Sequence, residues 1–265
     1  MDSVGDDIGS GRMSTDAIVR LKVTLDDVKP AVMRRLEVPL NLRLDRLHLV
    51  LQAAIGWTNS HLWEIRVRDI GWGPPQSGWG LGGDLPLKAS KASLLEVIED
   101  TGAKTFKYLY DFGDGWKHTV KIERVGDPAP GLAYPRLIEA QGRCPPEDVG
   151  GPWGYAEFLE AIIDPGHERH AELTEWYGAT FDPQSIERDA IDSELAKLAE
   201  RAAGQRFVLP GVAECRAYLR RSAAERGRHL AVDDDLGDAG FGGPGQSEGD
   251  GGCARQDFHC FPPQS

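Results

Sequence analysis

The chain is short of cysteine, of positive charge and of long apolar runs, and each shortage closes off a class of protein. Four cysteines in 265 residues, at positions 144, 215, 253 and 260, are too few and too scattered for a secreted disulfide framework. Lys and Arg number 30 against 42 Asp and Glu, a formal net charge of -12. Broad tracking along nucleic acid rests on cations that displace counterions, so DNA would be held only through a local patch. No apolar stretch approaches the length of a transmembrane helix. Met1 to Thr15 carries Asp2, Asp6 and Asp7 among Gly and Ser, with no apolar run to serve as a secretion signal. These absences predict a cytoplasmic protein with no membrane association and a disordered lead over residues 1–15.

Hydrophobic residues make up 40% of the chain, enough to build a proper core. Val19, Leu21, Val23 and Leu25 alternate with Arg20, Lys22 and Thr24, the pattern of a half-buried strand. After turn residues at Asp26 to Pro30, Val32, Leu36 and Val38 resume the alternation and predict an antiparallel hairpin. Arg34 shares their parity; either it points inward and needs a carboxylate or carbonyl partner, or a bulge turns it out. Leu44, Leu47, His48, Leu51 and Ile55 fall at helical spacing between Asn41, a candidate cap, and Gly56, a candidate stop. His48 on that stripe reads as a satisfied core histidine. A strand is expected over His61 to Asp69, an irregular loop over 71–88, and a capped helix from Ser93 with Glu96 three residues on.

The segment Tyr108-Leu-Tyr-Asp-Phe-Gly-Asp-Gly-Trp-Lys-His118 reads as a tight hairpin. With Asp114 and Gly115 as a two-residue turn, Gly113 would pair with Trp116, Phe112 with Lys117 and Asp111 with His118. A further strand at Arg136 to Ala140 leads into a shaped Pro- and Gly-rich loop from Cys144 to Tyr155. Helices are predicted over Tyr155 to Ile163, Glu168 to Tyr177 and Ser185 to Ala203. The body is expected to end near residue 204, followed by an accessory helix within 205–231 and a disordered tail over 232–265. From Val232 to Gly252 there are 8 Gly, 6 acids and no Lys or Arg, too little apolar surface to offset the entropy of ordering.

The order Val32-Met-Arg-Arg-Leu-Glu-Val-Pro39, Leu47-His48, Gly56-Trp57 with His61-Leu62, Tyr110 to His118, then Cys144-Pro-Pro-Glu-Asp-Val-Gly-Gly151 with Gly154-Tyr155 resembles the plasmid pRiA4b ORF-3-like family. The likeness runs over about residues 16–200, with Met33 where the family usually has Trp. It implies an α+β domain of bacteria and archaea, often near plasmids and mobile elements, and it brings no established activity. Some members bear a transposon resolvase label. A serine resolvase needs an activated serine among arginines and a basic helix-turn-helix, and neither is evident here.

These readings converge on an α+β fold: a mainly antiparallel sheet built from hairpins, packed by one helix from the N-terminal half and a cluster of C-terminal helices. The expected role is an interaction or accessory module associated with mobile DNA, meeting an unknown protein partner, with no assigned reaction or cofactor. Two alternatives stay open. His61, Asp111, Asp114 and His118 would suit a divalent metal or polar ligand and a metal-assisted hydrolase or nuclease, although no recognised metal spacing accompanies them; the competing reading is Asp111 bracing His118 while Asp114 serves the turn. Tyr108, Tyr110 and Phe112 beside Lys117 and Lys121 would stack single-stranded bases, or else form a packing face. In the proline-rich loop Glu147 and Asp148 are candidate acid and base, read first as caps of the next helix or ties to the loop amides. Cys144 has only Arg143 near it to activate a thiol, and His167 and His170 read as surface residues. Cys253, His259 and Cys260 supply three metal-type ligands without a fourth.

Overall fold

The computed structural model describes residues 16–74 and 86–204. They all belong to one compact unit, Met1–Ala217; a second unit, Tyr218–Ser265, lies outside the described residues. So do the N-terminal lead, the accessory helix, the acidic tail and the Cys253, His259 and Cys260 set.

Eight strands form one sheet in the order β5-β4-β3-β6-β7-β1-β2-β8. They are β1 Ile18–Leu25, β2 Met33–Pro39, β3 Trp63–Val67, β4 Ile70–Gly73, β5 Leu87–Lys88, β6 Thr105–Tyr110, β7 Trp116–Gly126 and β8 Arg136–Gln141. Every pairing is antiparallel except β4 with β5. The helices are α1 Leu44–Ile55, α2 Leu94–Thr101, α3 Gly151–Ile163, α4 His170–Tyr177 and α5 Arg188–Gly204. The architecture is α+β, as its sequence pattern implies.

Alternation makes the sheet one-sided. Leu21, Val23, Leu36, Val38, Ile65, Tyr108, Tyr110, Trp116 and Val120 are buried together with Leu44, Leu47 and Leu51 of α1. Each large aromatic removed from water contributes about 4 kcal/mol before ordering entropy is subtracted. The opposite face carries ion pairs such as Arg35 with Glu123 and Glu139, and Glu37 with Arg20 and Arg136. The Arg35 pairs are partly exposed and add little stability, whereas Glu37 is buried and needs its two arginines to stay charged. Helix α1 ends where Gly56 turns left-handed, φ 92°, as its sequence position predicts, but its N-cap is Arg43, without a side-chain cap bond, and not Asn41. The Ser93–Glu96 capping box is formed in full. Helix α3 starts at Gly151, earlier than periodicity suggests.

Arg34 points inward, only 3% exposed. The bulge in its strand falls between Arg35 and Leu36 and leaves Arg34 on the core side.

The central hairpin departs from the predicted register. Tyr110 pairs with Trp116 and Tyr108 with His118, so the chain reverses through the longer loop 111–115 and not through Asp114 and Gly115 alone. The slip is an odd number of residues, and an odd slip moves every side chain to the other face. Tyr108, Tyr110, Trp116 and His118 therefore share the buried face, and Lys107, Lys117, Thr119 and Lys121 share the outer one. Tyr108 and Tyr110 have no exposed surface, which removes the base-stacking reading of that face.

Candidate functional site

Asp111 does not sit opposite His118. It takes a left-handed conformation, φ 54°, at the head of the loop. Its Oδ1 accepts from the amides of Gly113 at 2.9 Å and Asp114 at 3.4 Å, while Gly115 N–H donates to its carbonyl at 2.7 Å. These bonds hold the loop and leave Oδ2 facing His61 Nδ1 at 3.6 Å. Asp111 and the chain before β3 are also tied by the bond from Asp111 N–H to Leu62 carbonyl, 2.8 Å.

Asp148 completes the cluster from the proline-rich loop. It too is left-handed, φ 62°, and its Oδ1 lies 3.0 Å from His61 Nε2. That contact is close without the alignment of a hydrogen bond, and His61 Nε2 is a buried ring nitrogen with no hydrogen-bond partner. One donor atom from each of His61, Asp111 and Asp148 falls within 4.8 Å of the others, a spacing that could hold a metal ion. Two ligands on one ion at bonds of about 2.1 Å lie roughly 3 to 3.4 Å apart, so the His61–Asp148 separation of 3.0 Å is compatible with a shared ion as well as with a plain ion pair. The imidazole is partly buried, Asp111 more so, and Asp148 is 66% exposed, which leaves one side of the cluster open to solvent.

The other candidates go elsewhere. Asp114 Oδ2 accepts from Gly150 N–H at 3.2 Å, so the hairpin loop caps α3, and Glu147 and Asp148 do not. Glu147 is a brace: its Oε2 accepts from Thr58 N–H at 2.7 Å and Thr58 Oγ1 at 2.5 Å, and its Oε1 from Tyr110 hydroxyl at 2.6 Å. Burial, with Glu147 as acceptor, pushes the Tyr110 phenol well up and keeps it protonated. His118 is fully buried, its Nδ1–H donating to Tyr108 carbonyl at 3.2 Å, and burial pushes its pKa down to about 4. Among the described residues no carboxylate hydrogen-bonds to it. His48 is the satisfied core histidine that its place on the helix predicts. It stacks on Trp63, donates from Nε2 to Asn59 Oδ1 at 2.5 Å and accepts at Nδ1 from Tyr108 hydroxyl at 2.8 Å. Burial pushes the Cys144 thiol up to about 11, against a nucleophilic role. His170 is partly buried, with Nδ1 bound to Ala161 carbonyl at 2.7 Å, and His167 Nδ1 accepts from Arg169 N–H at 3.1 Å.

The cluster thus joins residues from the two candidate sets drawn separately from the sequence. His61 and Asp111 came from one and Asp148 from the other; no fixed spacing links them, because they lie on three segments that only the fold assembles.

The model of the plasmid pRiA4b ORF-3-like protein family matches residues 17–190, from β1 to the first turn of α5. The chain belongs to this family. An uncharacterized protein, y4hQ of Sinorhizobium fredii (strain NBRC 101917 / NGR234), is 58% identical over 191 residues, covering 70% of this chain and 96% of that one. The crystal structure of a protein of unknown function from Methanosarcina mazei Go1 matches with a TM-score of 0.58 at 29% identity, over 66% of this chain and 98% of that one. Membership in the plasmid pRiA4b ORF-3-like family fixes the fold and assigns no reaction. Among the described residues no helix is long and apolar enough to cross a membrane.

Proposed function

We propose that the protein binds a divalent first-row cation through His61, Asp111 and Asp148 and carries out metal-assisted hydrolysis there. The observation that carries the reading is the meeting of the three donor atoms within 4.8 Å. One imidazole and two carboxylates suit zinc, manganese or nickel, and the exposed side at Asp148 leaves positions for water and substrate. A cation so held lowers the pKa of its bound water and polarises a phosphoryl or carbonyl oxygen. Asp111, fixed by its own loop amides, would either ligate directly or orient the imidazole from behind. The cytoplasm is the address we propose with it, in keeping with few and scattered cysteines.

The test is calorimetric titration of chelator-treated protein with Zn(II) or Co(II), followed by hydrolysis of bis(p-nitrophenyl) phosphate. One ion per chain is expected, with affinity at least ten-fold lower in His61→Ala and in Asp148→Asn and hydrolysis that follows occupancy. Failure to take up an ion, or equal affinity in both variants, would falsify the reading.

A second reading, an accessory module that docks a protein, has its own support. Trp153 is 89% and Ile163 78% exposed on the outer side of α3. A bare Trp is costly to leave in water and is a frequent anchor of interfaces. Trp153→Ala should abolish capture of such a partner and leave metal affinity unchanged.

A further inference from the structure

We infer that the cleft between α1, α5 and the Cys144 loop is a binding site for a small organic carboxylate with an apolar body, its charge taken by Arg34. The cleft has a volume of about 550 Å³, within the range of small-molecule sites. Trp57, Phe181, Ile191 and Leu198 supply apolar wall, while Ala190 and Arg201 stand at exposed positions on its α5 side.

Arg34 is the unusual wall residue. A buried guanidinium is normally matched by a carboxylate, because a lone charge is strongly disfavoured out of water. Among the described residues Arg34 has no such match. Its Nε–H donates to Ala54 carbonyl at 2.8 Å, and Nη1 to the carbonyls of Met33, Gln141 and Gly142 at 2.8 to 3.0 Å. Among the described residues its Nη2 bonds to Cys144 Sγ alone, at 3.1 Å. A thiol is a weak acceptor, and Nη2 has two hydrogens to place. Arg34 and Cys144 both line the cleft. The carbonyls hold the guanidinium in position without neutralising it.

The acids of the cleft are engaged elsewhere. Glu147 is held by Tyr110 and Thr58, Glu187 by Arg143 at 2.6 Å, and Glu194 by Lys197 at 2.6 Å. A carboxylate entering the cleft therefore meets an uncompensated cation at its inner wall and apolar surface around it. A carboxylate oxygen accepting from Nη2 would restore the missing charge and give that nitrogen a strong acceptor in place of the thiol.

This site is separate from the cation cluster, and the experiment keeps the two apart. Chelator-treated His61→Ala protein, full length, is titrated with phenylacetate and with phenylacetamide, read by calorimetry and by saturation-transfer NMR. Phenylacetate should bind at least ten-fold more tightly than the neutral amide. Ala190→Trp, an exposed position that a large side chain would close over, should abolish binding with an unchanged circular dichroism spectrum. Arg34→Met, where it folds, should erase the preference for the acid. Failure of phenylacetate, benzoate and hexanoate alike to bind, equal binding of acid and amide, or unchanged binding in Ala190→Trp would each overturn the inference.

Discussion

Tyr110 gives its phenolic hydrogen to Glu147 Oε1 at 2.6 Å, and through that one oxygen three separate segments are joined. The same hydroxyl accepts from Ser60 N–H at 2.9 Å and His61 N–H at 3.3 Å, so the end of β6, the chain carrying His61 and the loop carrying Asp148 share a single tie point. The ring itself stacks on Trp57, with centroids 5.0 Å apart.

Tyr110→Phe keeps that stack and removes the hydroxyl alone. A partly buried carboxylate loses a donor, and two amides lose their acceptor, for an expected loss of about 2 kcal/mol in urea unfolding. Cation affinity should also fall several-fold, because the backbone of His61 is no longer anchored. A stability loss with cation affinity unchanged would show that the tie is structural only.

Acid should weaken the fold in a defined window. Burial drives the pKa values of both His48 and His118 down to about 4, against an ordinary value of 6.5. The unfolded chain then takes up these protons first as pH falls, so their contribution is full above pH 6.5 and is lost between 6.5 and about 4. Each histidine accounts for on the order of 3 kcal/mol across that window. Urea midpoints measured at steps through it should drop steadily, and His48→Gln should flatten the slope by about one proton. Glu37 works lower down: burial opposes its charge, but Arg20 and Arg136 win and hold its pKa below 4.5, so its share is lost only beneath that pH. A flat stability profile from neutrality to pH 5 would contradict the burial of the two rings.

Local rules carried the hairpin of β1 and β2, the stop of α1 at Gly56 and the Ser93 capping box, because each depends on neighbours in sequence. The β6–β7 register did not follow from the strongest local signal. Asp114-Gly115 is a good two-residue turn, yet Asp111 accepts a left-handed backbone and bonds the loop amides with its side chain, closing a longer reversal. What decides between the two is burial: only the observed register puts Tyr108 and Tyr110 on the same face as Trp116 and His118. That criterion was readable in the alternation of large aromatics on both sides of the loop. The meeting of Asp148 with His61 and Asp111 was not, since it depends on where α3 docks.

That docking rests on Gly151 and can be tested there. Helix α3 begins directly over the hairpin loop, and Gly151 has φ +68° with its α-carbon turned toward Asp114. A β-carbon at this position would lie 2.3 Å from Asp114 carbonyl oxygen, which is backbone and cannot swing aside. Gly102 is the control, also left-handed at φ +62° but with nothing within 4 Å of the added atom. Gly102→Ala should therefore cost about 1 kcal/mol, the strain of the conformation alone. Gly151→Ala carries that strain and a clash, and should cost more than about 2 kcal/mol. Relief requires α3 to lift from the loop, which breaks the bond from Gly150 N–H to Asp114 and carries Asp148 away from His61. The expected signature is a lowered melting temperature together with lost cation binding in Gly151→Ala, against a small melting shift with full cation binding in Gly102→Ala. Equal effects of the two substitutions would mean that the contact with Asp114 does not position the cluster.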